Sequence, residues 1–380
     1  SVSLHEPDVP GFLATFGKGK HGQLGHGSLT ESRKPKTVAA LENVVDFDCG
    51  ANHTLAVTAS GQVYAWGNGD YGKLGFDADK KVAEPVLVPG LEGVNIRRVA
   101  CGMNHSMALS DEGTVFSWGW GGSMWSGCGG LGHGTQDSVT APKAIEDLSN
   151  VKISAITAGH YHSAALTDDG KLWTWGRGEL GRLGHGNNKD KTSPRQVKNL
   201  DEWNVTAFAC GAHYTAAAIA PGQLFTWGKN RAGELGQEAM NVFAQESLPW
   251  LVDDLKNLKT VAVACGTQHT CAVTDDGNFY IWGAAGFSWF TPHHVTPLSV
   301  PVLPVANKIV RVSAGHGYTA AVSANGDLFM WGKARKGQLG HGPKSFQREP
   351  LQLVLPDGVK VSQVACAQHH TGILTSAPVS

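Results

Sequence analysis

One pattern of apolar and polar positions recurs seven times along the chain. Each copy starts with an alternating apolar run of the form V-x-x-V-x-C-G, turns, and returns through H-T-x-A-V. A glycine-containing turn such as Asp168-Asp169-Gly170 follows, and a third alternating run ends in an aromatic residue and glycine. Alternation with a period of two indicates β-strands, and no helical periodicity interrupts it. The pattern therefore predicts an all-β chain of short antiparallel strands.

The aromatic–glycine pairs fix the length of the repeat. The steps between their glycines are 50, 52, 57, 52, 55 and 49 residues. A proline-led stretch such as 194–200 adds a fourth, outer strand to each unit. Four antiparallel strands per unit predict a seven-bladed β-propeller, with residues 1–380 forming one domain. The pairs are Phe16-Gly17, Trp66-Gly67, Trp118-Gly119, Trp175-Gly176, Trp227-Gly228, Trp282-Gly283 and Trp331-Gly332.

The two ends of the chain divide one repeat between them. Residues 12–17 have the pattern of a third strand, whereas residues 371–375 have that of a second strand. We therefore expect the N-terminal strand to complete the C-terminal blade. Such a closure ties the ring by backbone hydrogen bonds and leaves few exposed sheet edges.

The high glycine content is consistent with many turns, and the net charge is close to zero. The 380 residues include 49 glycines and 12 tryptophans, and the net charge is −1. That charge excludes a uniformly basic nucleic-acid-binding protein, so any electrostatic function requires an uneven distribution. Seven cysteines form no CxxC motif, and five of them recur just before a glycine or its replacement. We expect these five to be small buried residues in separate blades, in a reducing compartment. They are Cys49, Cys101, Cys210, Cys265 and Cys366.

Neither a membrane segment nor a cofactor loop is predicted. No run is apolar for long enough to span a bilayer, and no signal peptide is visible, which favours the cytoplasm or nucleus. An organelle stays open because the chain starts at Ser1, so a targeting segment could have been trimmed. Residues 17–22, 67–72 and 176–181 match G-x-G-x-x-G, but a Leu-Gly turn follows each instead of a helix. We expect no cofactor, no metal and no hydrolytic or redox centre; the oligomeric state is undecided.

Three motifs together resemble the RCC1-like propellers, named for the regulator of chromosome condensation. They are GxxHT, the strand ending in W-G, and the loop G-x-L-G-x-G, which appears as GQLGHG at 22–27 and 337–342, GGLGHG at 129–134 and GRLGHG at 181–186. The resemblance covers essentially the whole chain and implies the seven-bladed fold. It leaves the function open, because such propellers serve as nucleotide exchange factors, ultraviolet photoreceptors, chromatin binders and parts of ubiquitin ligases.

The variable positions of the repeat are the candidates for partner binding. Strand direction places the GxxHT turns and the loops after W-G on one side of the disc, named here the upper face. The recurring histidine of GxxHT is expected to hold neighbouring blades together, whereas the two residues before it vary. The candidates on the upper face are Asn52, Met103, Asn104, Trp120, Met124, Trp125, His160, Tyr161, Arg177, His213, Lys229, Arg231, Gln268, Phe287, Trp289, His316, Arg335, Lys336 and His369.

Charge and aromatic residues concentrate in the loops of this face. The irregular loops 118–132 and 282–294 carry aromatic residues that either anchor a partner or pack locally. The upper-face loops contain ten cations but only three acids, Asp70, Glu179 and Glu234. Turns such as Asp168-Asp169 make the opposite face acidic. A basic upper face favours an acidic protein patch, nucleic acid or anionic lipid; the alternative is that the loops are simply polar. The cations are Lys18, Lys20, Lys73, Arg177, Arg182, Lys229, Arg231, Lys333, Arg335 and Lys336.

Several functions fit this arrangement. We favour a non-catalytic propeller that binds a protein partner through the upper face. The resemblance also implies exchange activity on a small GTPase, with residues 120–130 in the place of a wedge inserted after the third W-G. The acidic residues that exchange factors use correspond to Met103 and Tyr161, and neither is acidic here. Chromatin or nucleic-acid binding is less favoured. A photoreceptor is disfavoured because no GxxHT turn contains tryptophan.

Overall fold

The computed structural model describes residues 2–3, 9–77, 81–123, 127–237, 245–284, 294–300 and 308–379. In the described residues the repeats form seven blades of four antiparallel strands, and in six of these blades the four strands follow one another in the chain. Each innermost strand contacts the innermost strand of the next sheet, and the last contacts the first. The fold is therefore a seven-bladed β-propeller, as the sequence predicts.

The blades are numbered 1 to 7 along the chain, and their strands are lettered A to D from the axis outward. Strands A are Val44–Cys49, Ile96–Cys101, Ile153–Ala158, Val205–Cys210, Thr260–Cys265, Ile309–Ala314 and Val361–Cys366. Strands B are His53–Thr58, His105–Ser110, His162–Thr167, Tyr214–Ile219, His269–Thr274, Tyr318–Ser323 and His370–Thr375. Strands C of blades 1 to 6 are Val63–Asn68, Val115–Gly119, Leu172–Gly176, Leu224–Lys229, Phe279–Gly283 and Leu328–Lys333. Strands D of these blades are Lys81–Leu87, Val139–Ala144, Lys191–Gln196, Gln245–Leu251, His294–Ser299 and Phe346–Gln352.

Short elements complete the chain. Val2–Ser3 pairs with strand A of blade 4, and Gly122–Ser123 pairs with Gly127–Cys128 in a small hairpin after strand C of blade 2. Five 3₁₀ turns lie in the described connections. They are Asp70–Gly72, Glu146–Leu148, Glu179–Gly181, Lys198–Leu200 and Asp253–Leu255.

Blade 7 is built from both ends of the chain. Its strand C is Phe12–Gly17 and its strand D is Ser32–Thr37, whereas strands A and B come from the C-terminal repeat. Phe12 pairs with Thr375 and Gly17 pairs with His370 in an uninterrupted antiparallel ladder. The predicted closure of the ring by the N-terminal strand is confirmed.

The hydrophobic core lies between blades. Every residue of all seven B strands is buried. One cluster joins Leu55 and Val57 of blade 1 to Val99 and Trp118 of blade 2, and the other blade junctions repeat this arrangement. Because each blade buries its apolar faces against two neighbours, closure of the ring completes the last junction.

The outermost strands are protected against further pairing. Every strand D contains one proline, a residue that cannot donate a backbone hydrogen bond. Proline at a sheet edge limits the addition of another strand. The rim of the disc is therefore poorly suited to strand pairing, which leaves the two faces for recognition. These prolines are Pro35, Pro85, Pro142, Pro194, Pro249, Pro297 and Pro350.

Candidate partner-binding face

The turns between strands A and B and the loops after strands C lie on the same face, as predicted. In every blade, a backbone N–H just after the aromatic–glycine pair donates to the carbonyl just before strand B, at 2.7 to 3.0 Å. This bond ties each variable turn to its own loop. The donor–acceptor pairs are Lys18–His369, Asn68–Asn52, Trp120–Asn104, Arg177–Tyr161, Lys229–His213, Ala284–Gln268 and Lys333–Gly317.

In six of the seven blades, the described part of this loop crosses to the next blade. The carbonyl of Gln23 accepts hydrogen bonds from Thr54 Oγ1 at 2.9 Å and from Trp66 Nε1 at 3.0 Å. Gly25 has φ near +73°, and a Cβ there would lie 2.8 Å from Trp66 Nε1. The Leu-Gly part of the motif therefore lets the loop lie directly against the buried tryptophan of the following blade.

The recurring histidine connects neighbouring blades. His53 Nε2 lies 3.0 Å from Ser106 Oγ, and His370 Nε2 lies 3.0 Å from Thr54 Oγ1 across the closure. Tyrosine takes this position in blades 4 and 6, and Tyr318 donates to the carbonyl of His370 at 2.7 Å. The recurring histidines therefore join neighbouring blades, as predicted, and the candidate recognition residues are the variable positions that precede them.

A continuous row of aromatic rings crosses the upper face from blade 1 to blade 4. Trp120 lies between Tyr71 and Tyr161, with ring centroids 6.3 and 5.5 Å away. His160 extends the row to Tyr161 at 6.3 Å and to His213 at 5.6 Å. All four contacts are edge-to-face, the geometry that aromatic pairs prefer. These five residues are called the aromatic row below.

Arg177 lies next to the aromatic row and adds a positive charge to it. Its guanidinium lies 5.7 Å from the centre of the Tyr161 ring and 2.7 Å from the carboxylate of Glu179. Cation–π contact and the ion pair hold the guanidinium in one place. The aromatic row and Arg177 are therefore preorganised in the free protein.

The hairpin after blade 2 is attached to blade 3. The carboxylate of Asp190 accepts from the backbone N–H of Cys128 at 2.7 Å and from that of Gly178 at 2.8 Å. This contact anchors the base of the hairpin beside the aromatic row. The tip residues Met124 and Trp125 lie outside the described residues, as do Phe287 and Trp289 of the loop after blade 5.

The predicted basic character of the face is reduced by burial. Lys73 is buried, and its Nζ donates to Asn68 Oδ1 at 2.6 Å and to the Asp70 carbonyl at 3.0 Å. Arg182 is 1% exposed, and its Nε donates to the Glu179 carbonyl at 2.8 Å. Both cations stabilise their own loops, so counting them as surface charge was wrong.

Other charges on both faces are paired. Lys229 is half-buried and lies 3.2 Å from the buried Glu234. On the opposite face, Asp168 lies 3.0 Å from Lys152, and Asp275 lies 3.6 Å from Lys259. The charge difference between the two faces is therefore smaller than the sequence predicts.

The remaining predicted residues are accessible to different degrees. Gln268, His316, Arg231, Arg335 and Lys336 are exposed. The others are partly buried, and His316 Nδ1 lies 3.1 Å from Thr267 Oγ1 in the neighbouring turn. The partly buried members are Asn52, Met103, Asn104, Trp120, His160, Tyr161, Arg177, His213, Lys229 and His369.

Histidines of the upper face add no positive charge at neutral pH. Burial, together with the positive charge of the nearby Arg182, lowers the pKa of His160 to about 4. Burial and Arg182 likewise lower the pKa of His213 to about 3. The pKa of His369 falls to about 4 through burial and the positive charge of Lys18. The basic character of the face therefore comes from lysine and arginine alone.

Family models place the chain among known proteins. The model described as "Regulator of chromosome condensation (RCC1) repeat" matches residues 11–57, 60–109, 112–166, 169–218, 221–273 and 325–374. The chain belongs to the RCC1 family. A second model of the same repeat matches four shorter stretches, including 96–123 and 153–182.

Relatives of this RCC1-family propeller have different functions. The chain is 34% identical to the ultraviolet-B receptor UVR8 of Arabidopsis thaliana over 99% of its own length and 72% of the receptor. It is 36% identical over 69% of its length to the human E3 ubiquitin-protein ligase HERC2, of which it spans only 5%. Human WBSCR16 has the same fold, with a TM-score of 0.85, 23% identity and coverage of 97% and 99% of the two chains. Prp20p of Saccharomyces cerevisiae superimposes with a TM-score of 0.86 at 22% identity, over 98% and 92%.

The axial channel of the propeller is lined by strands A of the blades. Within it, Asp46 accepts from the N–H of Val99 at 2.8 Å and from Gln363 Nε2 at 2.8 Å. Asp48 accepts from the N–H of Cys101 at 2.7 Å, and burial raises its pKa to about 6. These carboxylates cross-link blades 7, 1 and 2. The five recurring cysteines also line the channel, and each is a free thiol.

In the described part of the chain, no group of histidine, cysteine, aspartate and glutamate is arranged to hold a metal ion. No helix there has the length and apolar character needed to cross a membrane.

The sequence did not identify Tyr71 as a candidate, although it begins the aromatic row and is 55% exposed. The sequence signal was an aromatic residue inside a glycine-rich loop, and in the structure Tyr71 has φ near +65°.

Proposed function

We propose that this RCC1-family propeller is a non-catalytic interaction module that binds a protein partner through its upper face. The recurring residues are occupied in holding the blades together, whereas the variable turns and loops share a face and carry the aromatic row. Function in a family with such diverse members has to be argued from the site, because the fold alone does not fix it.

The aromatic row is the observation that supports the proposal most strongly. Tyrosine and tryptophan are over-represented among residues that dominate binding energy, because they bury large areas at low entropic cost. Here Trp120 is held by rings on both sides, and Arg177 is held over Tyr161. A partner therefore meets a row that is already ordered, which lowers the conformational cost of association.

Affinity capture with paired variants tests the proposal. The intact chain, Trp120→Ala and Tyr161→Ala are used as baits in cell extract, and Trp250→Ala is the matched control. Trp250 is 49% exposed but lies on strand D at the rim. We expect one set of partners to be lost with both upper-face variants and retained with the rim variant, at unchanged melting temperatures. If all three variants capture the same partners, the proposal is wrong.

Exchange activity on a small GTPase is the second candidate. The paired segments Gly122–Ser123 and Gly127–Cys128 support it, because they follow strand C of blade 2, where the resembled exchange factors carry a wedge. The solved structure of Prp20p is described together with that protein's binding to Gsp1p and histones. Met103 and Tyr161 weaken the candidate, because both positions are acidic in exchange factors of the resembled type. Release of a fluorescent GDP analogue from a panel of GTPases tests it, and no acceleration across the panel excludes it.

The proposal includes two broader statements. We propose that residues 1–380 act as one propeller domain, and that the protein works inside the cell, in the cytoplasm or nucleus. An organelle remains the alternative, since one relative that is 35% identical over 72% of this chain is the mitochondrial RUG3 of Arabidopsis thaliana. Imaging of the chain with a tag at its C terminus distinguishes the compartments.

A further inference from the structure

A second feature of the upper face lies over blades 6 and 7, away from the aromatic row. The loop after strand C of blade 6 carries Arg335 and Lys336, and the loop after strand C of blade 7 carries Lys18 and Lys20. These four residues are called the cation cluster. Lys20, Arg335 and Lys336 are exposed, and Lys18 is half-buried.

Packing between loop and blade brings the two loops of the cation cluster together. Gly337 lies against strand D of blade 7, where an added Cβ would be 2.8 Å from the Cα of Arg33. The N–H of Lys18 donates to the carbonyl of His369 at 2.9 Å, which places the second loop on the same blade. Burial and the charges of Lys20 and Lys336 lower the pKa of Lys18, as expected for cations that share one region.

The cations of the cluster are not held in ion pairs within the described part of the chain. None of its four members forms an ion pair there, whereas Arg177 and Lys229 both have carboxylate partners. Gln338 and Gln23 support the two loops through backbone bonds from Lys336 and His21, at 2.7 and 2.9 Å. The loops are therefore held in place by neutral side chains, and their cations remain available.

We infer that the cation cluster binds an acidic segment of a protein partner, in which several aspartate or glutamate side chains lie close together. This inference rests on the proposed function and names the chemistry of the partner. A surface with uncompensated cations on fixed loops attracts carboxylates and accelerates their association.

An acidic protein segment fits better than nucleic acid. Nucleic-acid-binding domains are commonly basic overall and contact many phosphates, whereas this chain has a net charge of −1. The cluster comprises four cations on two loops, and the neighbouring histidines are neutral at pH 7 because their pKa values are lowered. The number of cations in the cluster is thus suited to binding a few carboxylates. It is too small for the many phosphates of a nucleic-acid strand.

Peptide binding by the full chain tests the inference. The probe is a fluorescein-labelled ten-residue peptide of alternating acidic and small residues, GEGDGEGDGE, and its neutral counterpart has Gln and Asn in place of Glu and Asp. We expect anisotropy to show salt-sensitive binding of the acidic probe, and Lys18→Glu/Lys20→Glu/Lys336→Glu to weaken it at least tenfold. The control, Lys143→Glu/Lys198→Glu/Lys256→Glu, changes the net charge equally at exposed lysines elsewhere, and binding should change less than twofold.

Three results would overturn the inference. They are equal binding by the cluster variant and the parent chain, equal weakening by the control variant, and tighter binding of a labelled twenty-residue oligothymidylate than of the peptide. Failure here is distinguishable from failure of the proposed function. If partners are lost with Trp120→Ala but retained with the triple cluster variant, the upper face still binds them and only the acidic-segment inference fails.

Discussion

His162 Nε2 lies 3.0 Å from Thr215 Oγ1 of the next blade, and this hydrogen bond joins blades 3 and 4 inside the upper face. The same hydroxyl donates to the carbonyl of Arg182 at 2.8 Å, so one threonine connects strand B of blade 3, strand B of blade 4 and the loop between them. Equivalent links occur around the ring, with tyrosine in place of histidine in two blades. They hold the loops that carry the candidate site.

His162→Phe should destabilise the fold. The variant keeps an aromatic ring but leaves the buried Thr215 hydroxyl without one partner, which costs about 1–3 kcal/mol. Urea denaturation measures the loss. His162→Tyr is the matched control, because Tyr214 and Tyr318 show that a tyrosine at this position reaches the next blade. Equal stability of the parent and the phenylalanine variant would contradict the account.

Acid should destabilise the propeller through these histidines. Burial lowers the pKa of His105 and His269 to about 4, and that of His370 to about 3. The unfolded chain, with histidine pKa values near 6.5, therefore binds more protons as the pH falls below that value. This contribution to stability is present above pH 6.5 and is lost progressively as the pH falls from 6.5 to about 3.

The urea midpoint measured from pH 7.5 to 4.5 checks this window. Asp48 acts in the opposite direction, because its raised pKa favours the folded state at lower pH, but it is one group against five histidines. His162→Phe should make the pH profile shallower. A profile that stays flat from pH 7 to 5 would show that the buried histidines do not control acid stability.

Two glycine variants separate steric contact from backbone strain. Gly25→Ala and Gly93→Ala both place alanine at positive φ, near +73° and +77°, which costs about 1–2 kcal/mol. Only Gly25 lies beside Trp66, whereas an added Cβ at Gly93 meets nothing within 4 Å. We expect Gly25→Ala to lower the free energy of unfolding clearly more than Gly93→Ala. Equal losses would mean that the loop does not press against the tryptophan.

Closure of the ring should depend on the N-terminal strand. Leu13→Pro places proline in a central strand of blade 7, which removes a ladder hydrogen bond and leaves a buried carbonyl unsatisfied at a cost of about 1–3 kcal/mol. Leu374→Pro, in the paired strand, should cause a similar loss because Leu13 and Leu374 are register partners. Val9→Pro is the control, since Val9 is exposed and precedes the strand. Limited proteolysis should cleave the first two variants much faster than the third.

The sequence predicts the fold in detail because its repeat is local. The alternation, the glycine turns and the spacing of Trp-Gly pairs identify the strands, and the split repeat correctly predicts the pairing of Phe12 with Thr375. Charge was predicted less well, because burial depends on the neighbouring blade. Lys73 and Arg182 follow a glycine in a polar loop, as exposed cations do, yet the adjoining blade covers them.

The aromatic row was only partly predictable for the same reason. Trp120 and Tyr161 are 41 positions apart in the chain, and their contact exists because blade 2 lies beside blade 3. Tyr71 contributes because its loop lies over the following blade. Contacts of this kind depend on how the blades are arranged around the propeller. The alternation of apolar positions predicts only the strands within each blade.

Site-specific photo-crosslinking tests the central claim that partners bind the upper face. Tyr71 and Trp250 are about half exposed, on the aromatic row and on the rim respectively, and each is replaced in turn by p-benzoylphenylalanine. With a partner identified by affinity capture, the account predicts crosslinks from position 71 that Trp120→Ala abolishes, and none from position 250. Crosslinks from position 250 alone would contradict it, because they would place the partner on the rim.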